Sequence, residues 1–207
     1  DSLFKRTKAE LMAAIANYSQ ANNIEEAYLR LGETHLMMSK PVEAKNAFAE
    51  AIASPLLTRP VKEALFQFAE INRVYEKRYL DAIPFYRKVQ RPETDDDLRF
   101  ASYIREGDAL AADSEFTKAL NRYILAMNML KENPGLLDNP FLKTADLRDG
   151  LRNLIGHTEK LDQEREGLDA FGVYCDAQPD NLKCLLELAT LRFQFALRIE
   201  REHDPGL

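Results

Sequence analysis

The chain has 207 residues, with 28 Lys and Arg against 34 Asp and Glu for a formal charge of -6, enough for one domain or two small ones. Apolar residues make up 45% and charged residues 30%, a balance that buries a core and keeps the surface hydrated. A pI near 5.3 excludes a general basic surface for nucleic acid, and no run approaches the roughly 18 uninterrupted apolar residues of a bilayer span. Because the sequence opens on Asp1 and not on Met, upstream sequence is expected and targeting stays unread, with cytoplasm only the default expectation.

Apolar positions recur at three- and four-residue spacing in segments of roughly 12 to 20 residues, and no stretch alternates with period two. The reading is all-α. A first helix is predicted over about residues 3–20, with Leu3, Leu11, Ile15 and Tyr18 among its apolar side chains. Asn23 stands three residues before Glu26, a capping box for the next helix. Pro41, at a position where proline sacrifices no helical hydrogen bond, opens a helix running to about Ala53, and Ser54 and Pro55 end it. Pro60 opens the next helix, Thr94 with Asp97 caps another, and Asn139-Pro140 starts a longer, less regular one. A last helix is expected over about 182–203.

These segments repeat. Tyr28, Leu31, Gly32 and His35 are followed by Ala44, Phe48 and Ala51, and Tyr103, Gly107 and Leu110 are followed by Ala119, Tyr123 and Ala126. The step from glycine to the first alanine is 12 residues in both, then four to the aromatic and three to the second alanine. Between them, Leu65, Phe68 and Ala69 precede Ala82, Tyr86 and Val89 with one extra residue. A fourth copy is read from Leu154, Thr158 and Leu161 through Ala170, Tyr174 and Ala177. The pattern resembles the tetratricopeptide repeat, a 34-residue helix-turn-helix unit, over about residues 23–195. The implied organisation is a single repeat domain over 1–207 with units at about 25–58, 62–96, 100–133 and 151–181.

The resemblance implies a right-handed superhelical α-solenoid of stacked antiparallel helix pairs that binds a peptide or helix in a concave groove lined by the first helices. Carried over position by position, that groove would hold Leu29, Glu33, Leu36 and Met37 in the first unit. Phe66, Glu70, Arg73 and Val74 follow in the second, and Ile104, Asp108 and Ala112 in the third. One central apolar position recurs at Leu29, Phe66, Ile104, Ile155 and Leu186, with carboxylates one turn on at Glu33, Glu70, Asp108 and Glu159. Such a face favours a neutral or basic segment with apolar anchors. Family members that clamp acidic chaperone termini carry Lys and Asn where this chain has Leu29 and Glu33, so that activity is not expected.

The function implied is a scaffold or adaptor for another protein. Its alternatives are a regulatory or substrate-presenting domain of a larger enzyme, or a self-assembling homo-oligomer. No Gly-rich phosphate loop, serine elbow, HExxH or Cys-x-x-Cys is present, so no catalytic residue, cofactor or metal is expected. His35, His157 and His203 share no motif. Cys175 and Cys184, with eight residues between them, match no zinc spacing. They are expected as two buried thiols, with a disulfide across a helix–helix turn as the alternative. The stretch 131–149, with Pro134, Gly135 and Pro140, interrupts the repeat as a long turn or a partner-contacting loop.

Overall fold

The computed structural model describes residues 2–17, 23–158 and 160–203. Tyr18 and Glu159 lie outside the described residues. Among those described, ten α-helices form and no strand does. The chain divides into two compact units, residues 1–94 and 95–207. No described helix is long and apolar enough to cross a membrane.

The first unit contains α1 (Ser2–Asn17), α2 (Ile24–Met37), α3 (Pro41–Ile52), α4 (Arg59–Glu70) and α5 (Tyr79–Val89), with a π-helical turn, Ile71–Tyr75, continuing α4. α2 packs on α1, α3 and α4, and α4 packs on α5. Leu29, Ala44, Phe48, Ala51, Ala64 and Ile71 form its core cluster. The second unit contains α6 (Asp96–Ala112), α7 (Phe116–Glu132), a 3-10 turn (Pro134–Leu137), α8 (Thr144–His157), α9 (Leu161–Asp176) and α10 (Leu182–His203). There α6 packs on α7, α9 on both α7 and α8, and α10 on α9.

The glycine-to-aromatic spacing has a direct physical cause. A Cβ on Gly32 would overlap the Phe48 ring, and one on Gly107 would lie 2.6 Å from the Tyr123 ring. Each ring therefore rests on bare backbone, and the paired helices approach more closely than any larger residue permits. Glu106 occupies in α6 the place Leu31 holds in α2, and it is fully buried. Its charge is met by Arg122 of α7, Nε to Oε1 at 3.2 Å, as a buried carboxylate requires.

The turns inside the pairs repeat as well. Ser39, Lys77 and Ser114 hold positive φ angles of 57°, 57° and 64°. After each, a backbone N–H closes back on the preceding helix: Lys40 on the His35 carbonyl (2.9 Å), Arg78 on Asn72 (2.8 Å) and Glu115 on Leu110 (2.9 Å). This left-handed closure satisfies carbonyls orphaned at a helix end. The middle closure spans one residue more than the others. That surplus is the extra residue between Ala69 and Ala82, and the wide π-helical turn absorbs it.

Several local expectations are corrected. Asn23 makes no side-chain cap; the Glu26 N–H bonds the Asn23 carbonyl instead, at 3.0 Å. The Thr94–Asp97 box does not form: α6 starts at Asp96, and Asp97 Oδ1 accepts the neighbouring Leu98 N–H at 2.8 Å. Asn139-Pro140 does not open a helix. The Asn139 carboxamide accepts the Phe141 N–H at 2.9 Å and donates to the Asp97 carbonyl at 2.8 Å, which fixes a turn, and α8 begins at Thr144. Thr158 lies past the end of α8, its hydroxyl donating to the Ile155 carbonyl, so it is not a small helix-contact residue. That role falls to Gly167, where a Cβ would meet Ile155 Cγ1 at 2.9 Å.

Cys175 and Cys184 are not free thiols; they form a disulfide that joins the last turn of α9 to the first of α10. Reduction is expected to lower the stability of the chain by about 2–3 kcal/mol, the loop-closure magnitude for a short bridge. Urea melts with and without reductant measure this, and the untreated chain should take up no alkylating agent. Gly32→Ala is expected to destabilise by about 2 kcal/mol through overpacking against Phe48, although alanine gains roughly 1 kcal/mol of helix propensity over glycine. Equilibrium denaturation checks the sign.

Candidate functional site

The positions expected to bind a partner lie on α2 and α4 in the first unit and on α6 in the second. In α2, Glu33 accepts a hydrogen bond from Arg30 Nη1 at 2.8 Å, while Arg30 Nε reaches Glu26 at 2.7 Å. Both carboxylates raise the already high pKa of the Arg30 guanidinium, Glu33 most strongly. In the second pair, Arg73 grips Glu70 through both carboxylate oxygens, at 3.0 and 2.8 Å, and the Tyr86 hydroxyl of α5 donates to the same carboxylate. Burial, and then the charge of Glu70, push the Tyr86 hydroxyl well above its ordinary pKa, so it stays a proton donor.

The second unit repeats the arrangement. Arg105 Nη1 donates to Asp108 at 2.9 Å and Nη2 to Asp146 at 2.7 Å, while the Tyr123 hydroxyl donates to Asp108 at 2.5 Å. The acids at Glu33, Glu70 and Asp108 are therefore held by arginines of their own helices. Within each unit, an arginine stands beside every one of these carboxylates.

The apolar positions are corrected too. Leu29, Phe66 and Ile104 are buried. Leu29 belongs to the core cluster with Phe48 and Ala64, and half-buried Leu36 packs against the same cluster. Phe66 meets the Tyr86 ring edge-on at 5.7 Å. Close helix approach carries this position inside the unit and leaves it no room to anchor a ligand. Ile155 is also buried, whereas Leu186 is 60% exposed. In the first three repeats the exposed members of the inward set are Met37, Val74 and Ala112, at steps of 37 and 38 residues.

His35 is buried in α2 with no partner for Nδ1. Desolvation lowers its pKa below 6.5, with smaller contributions from Lys8 and Lys40 against Glu43, and keeps it neutral. Among the described residues, no three His, Cys, Asp or Glu side chains gather as a cation site.

A further feature accompanies the π-helical turn. A cleft of ≈ 480 Å³ is lined by Lys45, Phe68, Asn72, Arg78, Leu80, Asp81, Pro84 and Phe85. Phe68 and Phe85 pack at 4.6 Å. Lys45 Nζ lies 5.0 Å over the Phe68 ring and donates to Asn72 Oδ1 and Glu76, each at 2.6 Å. Pro84, inside α5, has no N–H to offer the Leu80 carbonyl. The sequence signal for this place was the surplus residue before Ala82.

Tyr86→Phe and Tyr123→Phe are each expected to cost about 1.5 kcal/mol, the scale for a hydrogen bond to a charged group, with secondary structure retained. Urea denaturation followed by circular dichroism measures the loss. No protein-family profile matches the chain, and comparison with curated proteins finds no significant relative.

Proposed function

We propose that this chain is a tetratricopeptide-like scaffold, a right-handed solenoid of helix pairs that binds another protein and carries out no chemistry of its own. The observation that carries the reading is the shared construction of the pairs. Left-handed turn residues fall at Ser39, Lys77 and Ser114, steps of 38 and 37 residues, and glycine lies beneath an aromatic ring in the first and third pairs. Units of this kind stack on their neighbours and offer extended faces for docking.

The contact surface in this reading lies at the C-terminal ends of the first helices. Exposed Met37 and Val74 are the apolar anchor points in the first unit. Methionine suits such a place because its unbranched, polarisable chain adapts to varied shapes. The flanking acids are paired with arginine, so the partner is a segment chosen for its apolar side chains more than for its charge.

The test is capture of a partner from lysate of the source cells by the intact chain, followed by titration with the purified partner. Met37→Asp with Val74→Asp is expected to weaken that affinity at least tenfold, about 1.4 kcal/mol or more, with the circular dichroism spectrum unchanged. Equal affinity for parent and variant would overturn this placement. Failure to capture any partner would overturn the scaffold reading.

A further inference from the structure

α10 is apolar on two opposite faces. One face, with Cys184 and Leu188 buried and Leu191, Phe195 and Ile199 half-buried, is directed to α9. The disulfide at Cys184 and ion pairs from Arg152 of α8 to Glu187 and from Arg198 to Glu164 of α9 fix it there. The opposite face carries Leu182, Leu186, Ala189, Phe193 and Ala196, spaced four, three, four and three residues apart. That is the seam of a heptad repeat. Leu182, Leu186 and Phe193 are 66%, 60% and 64% exposed, so the seam is open. A helix with two apolar faces belongs between two layers, and among the described residues only one is present.

We propose that a second copy of the chain covers this face, with the two α10 helices antiparallel about a two-fold axis near residue 191. In that orientation the seam sets its large side chains against its small ones. Residues whose numbers sum to 382 then meet: Phe193 falls on Ala189 of the partner subunit, and Leu186 on the partner's Ala196. Every central layer pairs a large side chain with a small one, which lets the helices approach closely. Leu182 meets the end layer of Glu200, and Lys183 beside it faces that carboxylate, so charges of opposite sign come together at both ends.

Parallel packing would instead set Phe193 on its own copy, Lys183 near Lys183 and Glu200 near Glu200. Arg192, which flanks the seam, does not oppose the antiparallel pair, because its guanidinium turns back toward Gly172 of α9, 3.2 Å from where a Cβ would stand. An isologous contact of this sort closes after two subunits.

The overlap from Leu182 to Glu200 is about 28 Å long, and a stripe roughly 10 Å wide gives on the order of 300 Å² per copy, below a standard interface. The dimer is accordingly weak, with dissociation expected in the micromolar to high-micromolar range. This inference stands on α10 alone and does not rest on the scaffold reading.

Sedimentation equilibrium of the intact, oxidised chain from about 5 to 500 μM tests it. A concentration-dependent dimer is expected for the parent. Phe193→Asp, at an exposed position, should leave the circular dichroism spectrum and melting temperature unchanged and the chain monomeric throughout. Lys183→Glu should weaken the dimer at least tenfold, and adding Glu200→Lys to it should restore parental association. A parent that stays monomeric over the whole range overturns the proposal and leaves the face to another protein or segment. A dimer that survives Phe193→Asp, or a charge exchange that fails to restore pairing, overturns the antiparallel seam.

Discussion

Each well-formed pair depends on an aromatic ring seated on a residue without a side chain. Phe48 rests against Gly32 and Tyr123 against Gly107. The ring fills space that a larger residue would take, so the two backbones draw together and the central position of the first helix is enclosed. Leu29 and Ile104 become core for this reason. The same approach decides where polar atoms end up. A tyrosine at the wedge position carries its hydroxyl across to the first helix, where Glu70 and Asp108 receive it. With phenylalanine there, Glu33 is left to its arginine.

Arginine and carboxylate recur together on the first helices, and their worth lies in orientation more than in raw stability. An exposed pair such as Arg30 with Glu26 contributes little, because water screens it and two long side chains must be held still. The half-buried Arg73–Glu70–Tyr86 and Arg105–Asp108–Tyr123 sets are different, since each has its hydrogen bonds shared among several partners. They lock side chains in register along the first helices.

Much of this was legible in the chain itself. Gly32, Phe48, Gly107 and Tyr123 announce the helix pairs because contact between helices demands those sizes at those spacings, and the surplus before Ala82 foretold a local irregularity. Caps were not legible at Asn23 or Thr94, where the residue type is right but the backbone does not aim the side chain at an N–H. The disulfide depends on how closely α9 and α10 meet at their turn, which spacing alone leaves open. Periodicity also identifies an apolar face without saying whether anything covers it. Leu29 and Leu186 have the same place in the pattern and opposite fates, because α3 and α4 close over one and no described helix closes over the other.

The π-helical turn at Ile71–Tyr75 shows how a repeating chain can change length without losing step. An added residue in the middle of α4 would rotate every later side chain by a hundred degrees and bury the wrong ones. Placed at the helix end, the addition is spent in one wide loop of backbone, and Ala82 and Tyr86 return to the positions their counterparts occupy. Insertion is therefore cheap at this point and ruinous a turn earlier. Descendants of such a chain would be expected to vary there first, since it is where one unit can acquire features, such as Asn72 with Lys45, that its neighbours do not share.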